Sequence, residues 1–189
     1  MDFIAWLDQI DKDLFLKLNE IHSPFFDTLF FALSGKLIWV PFYLFLIYLI
    51  YKFYKKKTLI WVLCIGISVG IADFTASGIL KPTVERLRPS RNPDLQEQVH
   101  IVNNYRGGIY GFASSHSANT FALATFFFLL LRRKMKYTSL LFLWAFVVSY
   151  SRIYLGVHYP GDILAGMLIG IGAAFLVYST AKRFIQASP

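Results

Sequence analysis

Charge is scarce in this 189-residue sequence, and acidic charge is scarcest: 11 Asp and Glu stand against 19 Lys and Arg, and all four types together make up 16% of the chain. Soluble domains carry about 25% charged residues. A deficit of this size, beside 56% hydrophobic and 18% aromatic content, excludes an ordinary soluble globule and points to a membrane protein. Cysteine is nearly absent too. Cys64, in an apolar run, has no partner for an intramolecular disulfide and reads as a small buried side chain. No Cys/His cluster at metal-ligand spacing, no glycine-rich nucleotide loop, no carboxylate cluster suited to Mg²⁺ and no internal repeat occurs. The opening residues MDFIAWLDQIDKD lack the basic start and long apolar core of a secretory signal, so insertion is expected from internal spans.

Five apolar segments are candidate spans: Leu37–Tyr51, Thr58–Leu80, Ala118–Leu131, Tyr137–Tyr150 and Ile163–Tyr178. Several fall short of the roughly 20 residues of a spanning helix, but aromatic and small flanks extend them. Pro24–Leu33 is too short to cross alone and makes a sixth only within a longer crossing. Ahead of it, Phe3, Trp6, Leu7, Ile10, Leu14 and Leu18 recur at helical spacing with Asp8, Asp11, Asp13 and Lys17 between them. That pattern fits an amphipathic helix in the membrane interface, or an ordinary packed helix. The expected fold is an all-α polytopic membrane bundle of five to six transmembrane helices. It is one domain over 1–189, with an N-terminal interfacial region at 1–34 and the polar motifs within 81–162. Gly66 with Gly70, and Gly166 with Gly170, have the small-xxx-small spacing that permits close helix contact; they leave the oligomeric state open.

The basic residues cluster at span ends: Lys52, Lys55, Lys56 and Lys57; Arg132, Arg133, Lys134 and Lys136; Lys182 and Arg183. With five crossings all three clusters share one side, which the positive-inside rule makes cytoplasmic. The net charge of +8 is therefore a matter of topology, and nucleic acid is not the expected partner. The stretches from Lys81 to Ser115 and from Ser151 to Asp162 then fall on the opposite, extracytoplasmic face. They bring Lys81, Arg86, Arg88, Arg91, Arg106, His116, Arg152, His158 and Asp162 to one end of the bundle.

Local signals sharpen that cluster. Pro82 and Pro89 restrict the residues before them, Lys81 and Arg88. Ser114, Ser115 and Ser117 precede an apolar run and suit a helix N-terminus, where free N–H groups attract anions. Pro160 suits a first helical turn, placing Asp162 within hydrogen-bond reach of His158. Guanidinium forks, an ammonium, a helix N-terminus and two histidines describe a site for a phosphate group. Asp73, inside the second span, is expected either to hydrogen-bond polar groups beneath the pocket or to sit in a water-filled crevice. His22 and His100 read as structural or surface residues. Arg86, Arg91 and Arg106 read as headgroup or solvent contacts.

The run Lys81-x₆-Arg88-Pro89, then Ser114-Ser115-His116, then Ser151-Arg152-x₅-His158-x₃-Asp162 resembles the three-part signature of the type 2 phosphatidic acid phosphatase (PAP2) superfamily. The middle part usually reads Pro-Ser-Gly-His, where this chain has Ala113-Ser114-Ser115-His116. The resemblance runs from about Lys81 to Asp162, and the first 50 residues match loosely. It implies a metal-independent lipid phosphatase without a cofactor, integral to a bacterial inner membrane and facing the periplasm or exterior. His158 would be the nucleophile, Asp162 its orienting partner and His116 the general acid and base. Lys81, Arg88, Ser114, Ser115 and Arg152 would hold the phosphoryl oxygens. The first-choice substrate is undecaprenyl pyrophosphate, with lipid A, phosphatidylglycerophosphate or phosphatidic acid as alternatives. An anion transporter would need polar or broken helices through the bilayer, a scaffold would lack the histidines, and the related haloperoxidases are soluble.

Overall fold

A computed structural model describes residues 3–187. Among these residues eight α-helices follow one another: α1 (Phe3–Asn19), α2 (Pro24–Leu33), α3 (Val40–Tyr54), α4 (Thr58–Asp73), α5 (Lys81–Val84), α6 (Ser115–Leu131), α7 (Leu140–Tyr154) and α8 (Pro160–Ala187). No strand occurs among the described residues, only one isolated bridge between Leu87 and Tyr110. Among the described residues two helical runs are long and apolar enough to cross a bilayer, Leu37–Val84 and Pro160–Ile185. The first is interrupted at Lys55, whose φ of 47° ends α3. The chain then turns back, and Leu46, Leu49 and Ile50 of α3 pack with Trp61 and Ile65 of α4.

α6 is the axis of the bundle. It packs against α8, α7 and α4, and its buried residues, among them Ala118, Thr120, Phe121, Ala122, Ala124 and Leu130, lie on all sides of the helix. A helix apolar all round is a core helix. Contact with α8 is closest where glycine removes the side chain. A Cβ on Gly166 would stand 2.4 Å from the Ser114 carbonyl oxygen, and one on Gly170 would stand 2.2 Å from that of Ala118. Gly66 and Gly70, with the same spacing, meet nothing within 4 Å. Only one of the two glycine pairs is a helix contact within this chain.

Helix ends differ from the expected spans for local reasons. α7 runs on through Arg152 to Tyr154, because nothing breaks it before Gly156, where φ is +70°. The link to α8 is thus shorter than Ser151–Asp162, and Arg152 projects from a helix. After Asp73 the α-helix widens into a π-helical stretch, Phe74–Leu80, which carries the chain to Lys81. Such widening accumulates at functional sites because it turns side chains that a regular helix would aim elsewhere.

α1 is amphipathic with an inverted sense. Phe15 is fully buried in a cluster with Ile153, Tyr159 and Ile163, while Ile4, Leu7, Ile10 and Leu14 stay exposed. Its acids Asp8 and Asp11 turn toward the bundle.

Candidate active site

The segment between α5 and α6 is folded by its own hydrogen bonds. Arg88 N–H donates to the Ile109 carbonyl at 3.1 Å, and Gly111 N–H to that of Arg86 at 2.8 Å. Arg106 and Ser90 donate to one another's carbonyls at 2.9 Å, and Arg91 donates to the Gly107 carbonyl at 3.3 Å. Arg106 therefore organises this segment, a correction to its reading as a headgroup or solvent contact, whereas Arg91 stays exposed. Ser90 N–H donates to Gly156 and Ser114 N–H to the Asp162 carbonyl, both at 3.0 Å. These bonds stitch all three motif segments together.

His158 is 1% exposed at the centre. Arg88 Nη1 lies 3.0 Å from its Nε2 and also donates to the Val157 carbonyl at 2.9 Å. A guanidinium has no acceptor, so Nε2 must accept and carries a lone pair. The ring proton is then on Nδ1, which donates to Asp162 Oδ2 at 3.2 Å. Burial, then the neighbouring charges of Arg88 and Arg152, hold the imidazole well below its ordinary pKa of 6.5. It is neutral at physiological pH, with the tautomer a nucleophile needs. Burial and the Arg152 guanidinium also lower Arg88, to about 10.

Asp162 is 0% exposed and has every oxygen occupied. Its Oδ2 accepts from the Tyr159 N–H at 3.0 Å as well as from His158. Its Oδ1 accepts from Arg86 Nη1 at 3.0 Å. Arg86 also donates to Asp11 at 2.7 Å and Asp8 at 2.8 Å, and its guanidinium stacks 4.0 Å over the Tyr159 ring. Burial works against that charge, but Asp162, Asp11 and Asp8 outweigh it and raise the Arg86 pKa. Sequence reasoning missed this residue. The signal was the acid pair Asp8 and Asp11 on the otherwise apolar α1, which needed a buried cation.

The remaining candidates surround His158. Ser114 caps α6, accepting from the Ser117 N–H. Ser115, in the position where the superfamily motif has glycine, uses its hydroxyl: Lys81 Nζ donates to its Oγ at 2.6 Å and to Ser77 Oγ at 3.2 Å. Arg152, 3% exposed, donates to Ser34 Oγ and to the Tyr105 hydroxyl. The Nε–H groups of Arg88 and Arg152 are both buried with no acceptor. His116 makes no side-chain hydrogen bond among the described residues and, with Arg152, walls a cavity of about 250 Å³. Ser34, Lys36 and Tyr105 supply the other polar side chains of its lining, and none of the three stood out in the sequence.

Two polar residues lie further off. Asp73 accepts from Asn119 Nδ2 at 2.9 Å, so it faces α6 one turn below His116. His100 Nε2 donates to Asp27 Oδ1 at 2.8 Å, stacks on His22 and ties its segment to α2.

Comparison with known proteins places this arrangement. The chain is 44% identical to the lipid A 4'-phosphatase of Bacteroides thetaiotaomicron over 95% of its own length and 80% of that protein's. It is 39% identical to the lipid A 4'-phosphatase of Porphyromonas gingivalis over 98% and 80%. The crystal structure of a transmembrane PAP2-type phosphatidylglycerolphosphate phosphatase from Bacillus subtilis superposes with a TM-score of 0.70 at 22% identity, covering 94% of this chain and 87% of that one, and so shares the fold. The PAP2 superfamily profile itself matches residues 57–186. The chain belongs to the PAP2 superfamily and is a bacterial, membrane-embedded lipid phosphatase, a phosphoric ester hydrolase.

Proposed function

We propose that this protein removes a phosphate group from lipid A, or a lipid A-like phosphoglycolipid, through a phosphohistidine formed on His158. One observation carries the chemistry. Lys81, Arg88 and Arg152 gather around a buried neutral histidine, and the one carboxylate beside it, Asp162, is already matched by Arg86. Buried cations without counter-charge are costly, and a phosphate dianion relieves that cost. The unspent Nε–H donors of Arg88 and Arg152 support the same reading. For the substrate, the support is likeness to two lipid A 4'-phosphatases along almost the whole chain. Lipid A therefore takes the place that the family resemblance, with an outer-face site and a short chain, gave to undecaprenyl pyrophosphate.

In this mechanism the phosphate enters past His116 and Arg152. Arg88 exchanges its hydrogen bond with His158 Nε2 for one to a phosphoryl oxygen. The Nε2 lone pair attacks phosphorus in line and the bond to the sugar oxygen breaks; His116, held neutral by burial and the Arg152 guanidinium before substrate arrives, takes up the proton that enters with a phosphate monoanion and gives it to that oxygen. Asp162 holds the imidazole as it becomes cationic. Lys81, Arg152, Ser114 and Ser115 hold the equatorial oxygens. His116 then takes a proton from water, which cleaves the phosphohistidine and releases phosphate.

The same proposal takes the chain as one unit over 1–189, with its catalytic motifs within 81–162 and Ser34, the last residue of the N-terminal region 1–34, beside the cavity. Five crossings with the site on the extracytoplasmic side of the inner membrane fit the basic clusters at the other end of the bundle. The test is phosphate release by the detergent-solubilised protein in EDTA from lipid A, undecaprenyl pyrophosphate, phosphatidylglycerophosphate and phosphatidic acid at matched mole fraction. The expected result is fastest release from lipid A. Faster turnover of undecaprenyl pyrophosphate would overturn the substrate, and dependence on added metal would overturn the mechanism.

A further inference from the structure

At the end of the bundle away from His158 lies a cavity of about 610 Å³ that the reaction does not use. It opens where α6 ends, and the 17 residues of α6 separate it from Ser115 by about 25 Å. Lys57, Arg132, Arg133, Lys134 and Lys182 line it, and no carboxylate does. Nor does the chain hold one in reserve. No Asp or Glu occurs at 28–72, at 98–161 or after 162, so side chains cannot neutralise these cations from their own segments. The side chains of Arg133, Lys134 and Lys182 make no hydrogen bond or ion pair among the described residues, and the Lys57 side chain reaches only the Ile185 carbonyl, at 3.5 Å.

The rest of the lining is apolar and aromatic. Trp61 forms part of the wall, stacked on Tyr178 with ring centres 5.9 Å apart. It is 5% exposed, and its indole N–H has no acceptor. A positive-inside cluster needs neither a concave pocket nor a buried, unspent donor in its wall. Basic pockets between helices on one membrane face suit anionic headgroups, and Trp sits where an apolar body meets a polar boundary.

We propose that this pocket is a non-catalytic binding site for the phosphodiester headgroup of an anionic phospholipid. The cations take the phosphate, and Trp61, Tyr178 and Leu129 receive the start of the acyl chains. Inorganic phosphate shares the anionic chemistry but has nothing to place on the aromatic wall, which is why the lipid is the committed ligand.

The test uses the full chain, delipidated in a zwitterionic detergent. Its thermal midpoint is titrated with phosphatidylglycerol, with phosphatidylcholine of the same acyl chains, and with inorganic phosphate. Wild type is set beside Arg133→Gln/Lys182→Gln and, separately, Trp61→Phe. Phosphatidylglycerol is expected to raise the midpoint saturably, with affinity falling about 30-fold in the double variant at low salt. Trp61→Phe keeps the ring and is expected to weaken binding several-fold. Phosphate release by both variants should equal wild type, which separates this pocket from the catalytic one. Equal stabilisation by phosphatidylcholine, an unchanged titration in the double variant, or the same response to inorganic phosphate would each overturn the assignment.

Discussion

Arg86→Ala is the perturbation with the most to say about how the site is held. One guanidinium bonds three carboxylates at 2.7–3.0 Å and stacks on Tyr159. The three bonds differ in weight. Asp8 is partly exposed, and its pair contributes at most about 1 kcal/mol. Asp162 has no exposure, and removing its cation leaves a buried charge compensated only by hydrogen bonds; losing such a partner costs about 3–5 kcal/mol. At about 2–4 °C per kcal/mol for a chain of this size, the thermal midpoint should fall by about 6–20 °C. Arg86 touches neither nitrogen of His158, so its effect on turnover is indirect: a displaced Asp162 misaims the imidazole. Loss should fall on kcat with KM nearly unchanged, and Arg86→Lys should restore part of the stability but little of kcat, since a point charge cannot span three carboxylates. A cycle with Asp11→Asn isolates the α1 contribution. Thermal unfolding and steady-state phosphate release on the same preparations read both effects. A variant with wild-type midpoint and kcat would refute the claim that this cation positions Asp162.

Gly170→Ala should destabilise by about 1–3 kcal/mol, because its Cβ would meet backbone of α6 at 2.2 Å, whereas Gly70→Ala, open for 4 Å, should be neutral or slightly stabilising in the same unfolding assay. Ser115→Gly restores the glycine of the usual motif but deprives Lys81 of its 2.6 Å acceptor, and kcat/KM should fall about tenfold. The depressed pKa of His158 predicts a pH effect on stability. Below pH 6.5 the unfolded chain binds a proton that the folded one refuses, so stability falls with pH by up to about 1.4 kcal/mol per unit, and His158→Asn should remove that component of the slope.

The sequence was most informative where chemistry forces residue type. Pro160, a serine N-cap and the His158 to Asp162 offset located two helix starts and the buried pair, since each acts within one or two turns; Pro82 misled, because the helix runs on through Lys81 and Pro82 to Val84. It was least informative where partners are far apart in the chain. Arg86 looked like any surface arginine because its carboxylates lie 75, 78 and 76 positions away. Ser34 and Lys36 come from a stretch whose only local signal was apolar, and their place in the cavity depends on how α2 packs on α7. The π-helical stretch before Lys81 leaves no mark on apolar periodicity. Identical glycine spacing at 66/70 and 166/170 gave two different outcomes, because spacing reports which face the glycines share and not what stands opposite.

The central claim is a covalent bond between His158 Nε2 and phosphorus. Its most direct test is rapid quenching of the purified enzyme with phosphate-labelled lipid A, under alkaline conditions that preserve phosphohistidine, followed by peptide mass spectrometry. The account predicts label on the peptide containing His158 within the first turnover, none in His158→Ala, and accumulation in His116→Ala, which lacks the base that clears it. Full turnover without labelled histidine, or activity surviving loss of His158, would contradict it.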